Sequence, residues 1–567
     1  MIVEELKKAI QKALKTMGVV VKEVELEHPA ELSHGDFSSN IAMASAKLAK
    51  QKPRDIAERI VAELQKKLPT GVEKIEVAGA GFINFHLKKE FFADAVKNID
   101  ADFGKNQNLK GQKLIIEYTN TNLFKELHIG HMMSNNVGES LSRISEFRGG
   151  EVKRDTYQGD VGLHVAKAIY GMVELSAEIP EDSHLKAAFL GKAYALGSTA
   201  YEENKEAEVR IKELNKVIFE KSDPEINKLY AWGREVSLSH FEELYKKLGT
   251  KFDYYFFETE TAPRGVAVVQ ENLEKGIFEK SDGAIVFKGE PYGLHTRVFI
   301  TTQGLPTYEA KELGLAYIKY ENYPFDRAVI ITANEQNDYF KVVLKALSLI
   351  DSPLASRILH LSHGMLRLPS GKMGSRKGNV ITGEGLIAQV ESLVREKIKD
   401  REMSEAEKET LAEIVAIGAI KYSILRQAIG GDIIFDFDKS ISFEGDSGPY
   451  LQYSYVRAKS VLQKAKNLDI KPFVGVKLLQ NWETTTLEKL LYRFPEVVER
   501  AGRELEPHYV ITFLTELAGV FNSWYANGKI VDADDPASPY KLALTEAFAT
   551  IMKNGLWLVG IKVPEKM

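Results

Sequence analysis

Between residues 113 and 171 the chain alternates strand, helix, strand and helix, and no other stretch narrows the fold as much. "KLIIEY" (113–118) is a short apolar strand. Beyond a polar loop, "MMSNNVGESLSRISEFRGG" (132–150) has helical character and ends on Gly149-Gly150, residues suited to a helix stop. "EVKRDTYQG" (151–159) reads as a second strand and "LHVAKAIYG" (163–171) as a second helix. A strand–helix–strand crossover at this spacing makes the strands parallel, and open parallel sheets take ligands at the carboxyl ends of their strands. The pattern resumes with "TYEAKELGLAYIKY" (307–320, helix), "RAVIIT" (327–332, strand) and "DYFKVVLKALSLI" (338–350, helix); "ILHLSHGMLRL" (358–368) then leads into "GKMGSRKGN" (371–379). Two such halves make a doubly wound parallel sheet, interrupted by a charged helical insertion at about 175–250 and by strand-and-turn sequence at 282–306.

The flanks differ in kind. Residues 1 to about 100 read as an α+β unit, with helical patterns at 2–17 and 53–68 and two strands around Gly79-Ala80-Gly81. "FGKNQNLKGQ" (103–112) makes a linker. Beyond about 385 the sequence is almost wholly helical, with amphipathic periods at 404–428, 450–466, 486–504, 507–527 and 540–556. A chain of 567 residues must divide into several cores. The expected architecture is a multidomain α/β protein: an N-terminal α+β domain (1–105), a Rossmann-like catalytic domain (106–385) and a C-terminal all-α bundle (386–567).

Composition removes whole classes of chemistry. With no cysteine there is no disulfide, no thiolate catalysis and no Cys-ligated metal, and the 12 histidines include no HExxH, so no structural metal is expected. No apolar run approaches the ~18 residues a membrane span needs. The start, with Leu6, Ile10 and Leu14 at helical spacing, lacks the apolar core of a signal peptide, and a cytoplasmic protein is expected. A net charge of −5 leaves room only for a localised basic face toward nucleic acid.

The loop "YTNTNLFKELHIGH" (118–131) joins the first strand to the first helix. His128 and His131 flank Gly130 there, placing ring donors beside a helix N-terminus that already favours anions, while Gly130 lets a flat base approach the backbone. A chain of this composition would contain about 0.02 such His-x-Gly-His runs by chance. "GKMGSRKGN" suits a phosphate-gripping loop, although Gly, Ser and Lys also suit a solvated turn.

"HIGH" followed by a later "KMGSR" resembles the paired signatures of class I aminoacyl-tRNA synthetases, and "NTNLFKELHIGH" is similar to the arginyl form, with Asn122 six residues and Lys125 three residues before the first His. The resemblance spans nearly the whole chain. "HGDFSSNIAM" and "AGAGFINFHL" are similar to that family's N-terminal domain, "YQGDVGLHVAK" and "LPTYEAKELGLA" to its catalytic domain, and "ISFEGDSGPYLQYSYVRAKSV" and "NGLWLVGIKVPEKM" to its helical anticodon-binding domain. It implies a monomer that uses ATP, with Mg²⁺, to activate L-arginine and then loads tRNA(Arg). A catalytically silent tRNA-binding or regulatory paralogue is the alternative, and intact His128, His131 and Lys372 weigh against it.

By that resemblance His128, His131, Lys125 and Lys372 act on the phosphates, with Gly130, Met373, Gly374, Ser375, Arg376 and Lys377 around the nucleotide. Ser375 stands where the second signature lysine belongs; Lys125 is expected to supply that charge, with Arg376 and Lys377 as other donors. A buried guanidinium demands carboxylates and flat company, which Glu117, Glu312 and Tyr308 provide. Asn122 and Gln336 are expected at the substrate's α-amino end, and Glu312 departs from the more common Asp. Phe82 and Asn84 of "GFINF", and Tyr453 and Arg457 further on, are expected to meet tRNA.

Overall fold

The computed structural model describes residues 2–180, 182–367, 382–475 and 482–567. The ATP-loop residues Lys372, Met373, Gly374, Ser375, Arg376 and Lys377 lie outside the described residues. The chain forms two compact units: residues 1–103, 457–496 and 516–553, and residues 104–456, 497–515 and 554–567.

In the first unit α1 (Ile2–Thr16) is followed by β1 (Phe37–Ser39), α2 (Ile41–Ala49), α3 (Pro53–Gln65), β2 (Val72–Ala78), β3 (Phe82–Leu87) and α4 (Lys89–Lys97). The strands form an antiparallel sheet in the order β1-β3-β2. The stripe Leu6, Ile10 and Leu14 of α1 is completely buried in one core with Ile56 and Ile60 of α3 and Phe85 of β3. Helical period on one element and alternation on the other thus meet on a single apolar layer.

The second unit opens with β4 (Lys113–Glu117), α5 (Ile129–Phe147), β5 (Glu151–Gln158) and α6 (Leu163–Glu174). The insertion is α7 (Ser183–Glu203), α8 (Lys205–Glu220) and α9 (Pro224–Leu248). Then come β6 (Tyr254–Phe257), α10 (Glu258–Leu273), a small antiparallel sheet of β7 (Glu279–Ser281), β8 (Ala284–Phe287) and β9 (Arg297–Ile300), α11 (Tyr308–Asn322), β10 (Arg327–Ala333), α12 (Asn337–Ile350), α13 (Ser352–Ala355), β11 (Ile358–His363) and β12 (Leu366–Arg367). The main sheet is parallel throughout, in the order β11-β10-β4-β5-β6. Its first strand is central, so the winding reverses beside β4 and opens a crevice at the carboxyl ends of β4 and β10. Gly149, at φ +86°, ends α5 as its position in the sequence suggests. Within α5, a Cβ on Gly138 would lie 2.2 Å from the ring of Tyr118, so glycine is what lets the helix lie this close to the sheet.

The remaining elements are α14 (Gly383–Ile398), α15 (Glu405–Leu425), β13 (Ile433–Ile434), α16 (Phe437–Ser440), α17 (Gly448–Asn467), α18 (Thr486–Leu491), α19 (Phe494–Glu504), α20 (His508–Ala526) and α21 (Ser538–Leu558). The period at 486–504 is two helices rather than one, because Pro495 has no N–H to donate to the turn before it and is accommodated only in the first turn of α19. Compactness also divides the chain differently from the three sequence segments: residues 386–456 belong to the unit that holds the parallel sheet, and β12 pairs with β13 there.

Candidate active site

The loop from β4 to α5 holds three non-glycine residues at positive φ, Thr119 (77°), Asn120 (46°) and Phe124 (63°). Such conformations cost on the order of 1 kcal/mol each and persist only where neighbours impose them. Here the neighbours are identifiable. The Thr119 N–H donates to Ser134 Oγ at 3.1 Å, Asn120 bridges Glu117 and the Tyr157 N–H, and the Phe124 N–H donates to Ser237 Oγ of α9 at 2.9 Å.

The loop delivers His128 to the N-cap of α5. The Gly130 N–H donates to His128 Nδ1 at 3.1 Å, the His128 N–H donates to His131 Nδ1 at 3.2 Å, and the two rings stack with centroids 3.7 Å apart. With both Nδ1 atoms accepting, each neutral ring carries its proton on Nε2. Loss of solvation and the Lys125 charge lower His128 to about 4; loss of solvation, His128 and Lys125 push His131 well below the ordinary value. The pair is therefore a neutral double donor at a helix N-terminus, next to a lysine, which is a geometry for phosphate oxygens. Gly130 has no room for a side chain, since a Cβ would lie 2.9 Å from the His128 ring.

A second segment splints this loop. The Gly383 N–H donates to Leu127 O at 2.7 Å, and Thr382, the N-cap of α14, pairs with His128 in an antiparallel bridge. Gly383 fits only because it lacks a Cβ, which would meet Leu127 at 2.6 Å and Met132 at 3.0 Å.

The end of β4 holds a buried group of acids around one base. Glu117 ends β4 opposite Asp155 of β5, and Lys319 of α11 bonds to Glu117 and, at 3.0 Å, to Asp155. Asn120 donates to the other Glu117 oxygen at 2.6 Å. Glu312, two turns before Lys319, is also buried, and among the described residues its hydrogen-bond partner is the Tyr339 hydroxyl, at 3.5 Å. Burial and the nearby Glu117 raise its carboxyl well above the ordinary range, and burial raises Asp155 similarly despite Lys319. Fully ionised, three carboxylates thus face one ammonium, an excess of two negative charges that a bound cation would halve.

Tyr308, one turn before Glu312, leaves 56% of its surface exposed and carries Lys311 5.0 Å from its ring centre, while Lys311 pairs with buried Glu258 at 2.5 Å. Gln336 is exposed in the short turn Asn334–Gln336 that follows β10, and Asn122 is bridged to Gly159, whose Cβ would lie 2.3 Å from Asn122 Oδ1. Sequence reasoning missed Asp155, Lys319 and Tyr339. Lys319 had a signal: Tyr308, Glu312 and Lys319 recur at i, i+4 and i+11 on one helix face.

The residues expected at tRNA lie elsewhere in the chain. Phe82 opens β3 and is exposed, whereas Asn84 is buried with its Oδ1 accepting from Ser38 Oγ at 2.7 Å. Tyr453 and Arg457 are one turn apart on α17, both half-buried; Arg457 donates to Asn522 at 2.6 Å and lies 5.0 Å over Tyr525.

Comparison with known proteins agrees with this geometry. Residues 95–437 match the family described as tRNA synthetases class I (R), catalytic domain, residues 4–87 the arginyl tRNA synthetase N terminal domain, and residues 451–567 the DALR anticodon binding domain. Parallel sheet and signature loop define a class I aminoacyl-tRNA synthetase. The arginine–tRNA ligase of Fusobacterium nucleatum subsp. nucleatum is 32% identical over 557 residues, 96% of each chain, and that of Halothermothrix orenii is 31% identical over 551 residues, also 96% of each. The Thermus thermophilus arginyl-tRNA synthetase structure superposes on the whole of both chains with a TM-score of 0.81 at 24% identity. The chain belongs to the arginyl-tRNA synthetase family.

Proposed function

We propose that this chain activates L-arginine with ATP and transfers it to tRNA(Arg), with the acids around Lys319 receiving the guanidinium and the stacked histidines receiving the nucleotide's phosphates. The charge balance of the pocket carries the reading: Glu117, Asp155 and Glu312 against Lys319 leave a buried site that favours a planar monocation. Tyr308 offers a flat face beside it, and Asn122 and Gln336 stand at the strand ends for the substrate's α-amino group.

The substrate carboxylate attacks the α-phosphorus, a P–O bond forms as the bond to pyrophosphate breaks, and charge grows on the phosphate oxygens. Displacement of this kind is served by positioning and by donors aimed at that charge. His128 and His131 donate through Nε2–H, and Lys125, Lys372 and the 373–377 backbone supply the rest. Among the described residues no group of three or more His, Asp or Glu is arranged to hold a metal ion. Mg²⁺ is expected to enter with ATP, as part of the nucleotide substrate. The terminal ribose hydroxyl of tRNA then attacks the acyl carbonyl and expels AMP. Phe82, Tyr453 and Arg457 are assigned to tRNA contact, whereas the expected contact by Asn84 is not carried further because its side chain is buried against Ser38; the chain is expected to act as a monomer in the cytoplasm.

Pyrophosphate exchange with each amino acid, with and without tRNA, tests the reading. Exchange with arginine when tRNA is present supports it; robust exchange with another amino acid overturns it. For the phosphate assignment, Lys125→Ala should lower exchange by about two orders of magnitude, as loss of one aimed donor does. Exchange unchanged in Lys125→Ala but abolished in Lys377→Ala would move the role to Lys377.

A further inference from the structure

The insertion does more than fill space between α6 and β6, because consecutive residues of the signature loop each meet one of its helices. Phe124 stacks on Tyr230 of α9 and sits where a Cβ on Gly233 would lie, 2.1 Å from its ring. The ammonium of Lys125 lies 4.7 Å from the ring centre of Tyr194 on α7. The Glu126 side chain packs at Gly191, one turn earlier on α7, with 3.3 Å to a Cβ placed there. Helix α7 can approach this far because it lies almost on α6: Cβ atoms on Gly171 and Gly197 would be 2.0 Å and 1.8 Å from the carbonyl oxygens of Ala193 and Lys167.

The nature of the Lys125 contact matters for its chemistry. Among the described residues Lys125 forms no ion pair; its partner is Tyr194, which offers it a ring face and a hydroxyl hydrogen bond, neither of them a formal charge. A carboxylate in the same place would orient the side chain but would also cancel the charge that a phosphate is to meet. A π face orients the ammonium and leaves its charge in place. The same device recurs two turns along α7, where Lys167 lies 4.4 Å from the ring centre of Tyr201. The charge of Lys125 reaches its surroundings, since it helps hold His128, His131 and His164 in their neutral forms.

We infer that Tyr194 is a positioning residue for the reaction: its ring holds Lys125 aimed and uncompensated beside His128 and His131, so that the helical insertion contributes to phosphate binding through Lys125. The inference rests on the assignment of Lys125 above, and a double-mutant cycle separates the two. In tRNA-dependent pyrophosphate exchange, Tyr194→Leu should lower kcat/KM for ATP on the order of tenfold, the range of a partly desolvated cation–π contact, with KM for arginine unchanged. Tyr194→Phe, which keeps the face and loses the hydroxyl, should restore the rate to within about threefold of wild type. In a Lys125→Ala background Tyr194→Leu should add no further loss.

Each result decides something. If Lys125→Ala is without effect, the lysine assignment falls and this inference with it. If Lys125→Ala is damaging and Tyr194→Leu is silent, the inference alone falls. An equal loss from Tyr194→Leu with and without Lys125 would assign Tyr194 to packing and overturn it. Circular dichroism and thermal melting accompany each variant, and Tyr194→Gln replaces the leucine form should that variant melt early.

Discussion

If Glu312 receives the guanidinium as proposed, its raised carboxyl should make arginine binding a proton-releasing event. Burial and the adjacent Glu117 hold its proton on up to about 8, whereas a guanidinium needs the ionised form. At pH 6.5 a group of that value is almost entirely protonated, so ionising it costs about 2 kcal/mol at 1.36 kcal/mol per pH unit. By pH 8.5 most of that cost is gone, and the dissociation constant for arginine should fall roughly twentyfold between the two. Calorimetric titration of arginine in two buffers of different ionisation enthalpy should count about one proton released at pH 6.5. Glu312→Gln should bind more weakly at pH 8.5 and lose most of the pH slope. The sign extends to stability: a raised carboxyl destabilises the ligand-free protein as pH climbs from 4.5 toward its folded value, so added arginine should raise the melting temperature more at pH 8.5 than at 6.5. A flat affinity profile with no proton released would refute the charge-deficit argument.

Three further outcomes are expected. Lys319→Met strands Glu117 and Asp155 in the interior and should cost about 3–5 kcal/mol in urea unfolding, part of which Asp155→Asn in the same chain should return. Gly383→Ala drives a methyl into Leu127 and Met132 beside the His128 bridge; exchange activity should drop severalfold while circular dichroism stays native. His240 of α9 meets Glu384 of α14 at 3.2 Å; that hydrogen bond raises the imidazole despite burial, with Glu243 and Glu126 adding to the rise, and the same hydrogen bond lowers Glu384, Lys247 adding its charge. The pair is fully formed between pH 4.5 and 6.5, is lost as pH rises through the raised His240 value, and is partly exposed, so it contributes about 0.5–1 kcal/mol. His240→Gln should thus melt below wild type at pH 5.5 and level with it at pH 9.

The sequence disclosed the sheet and the signature loop because both are local patterns. Alternation, helical period and a Gly-Gly stop are written within about twenty residues of one another, and His128 and His131 lie on consecutive turns. What it did not disclose depends on neighbours distant in the chain. Asp155 looks like any polar residue of a strand until Glu117 stands across from it and Lys319 descends from α11. Asn84 offered an amide that looked free for a base edge, and Ser38 of a strand too short to predict takes its oxygen. The positive φ of Thr119, Asn120 and Phe124 has no residue signature either, since these are not glycines and the strain is imposed by Ser134, Tyr157 and Ser237. The break at Pro495 was legible and outweighed by the apolar period on either side.

Both signature imidazoles spend Nδ1 on capping the first turn of α5, and Nε2 is the donor proposed for phosphate. The atoms that read the ligand and the atoms that terminate α5 therefore share two rings, and neither job can be altered alone. Protonating Nδ1 in acid would unseat the cap and add charge in the same step, so acid inactivation of this site and fraying of the first turn of α5 are one event. Across the neutral range, by contrast, neither ring changes state, and the proposed phosphate donors keep a constant charge while Glu312 of the proposed arginine pocket titrates. The two halves of the crevice thus answer to different parts of the pH scale.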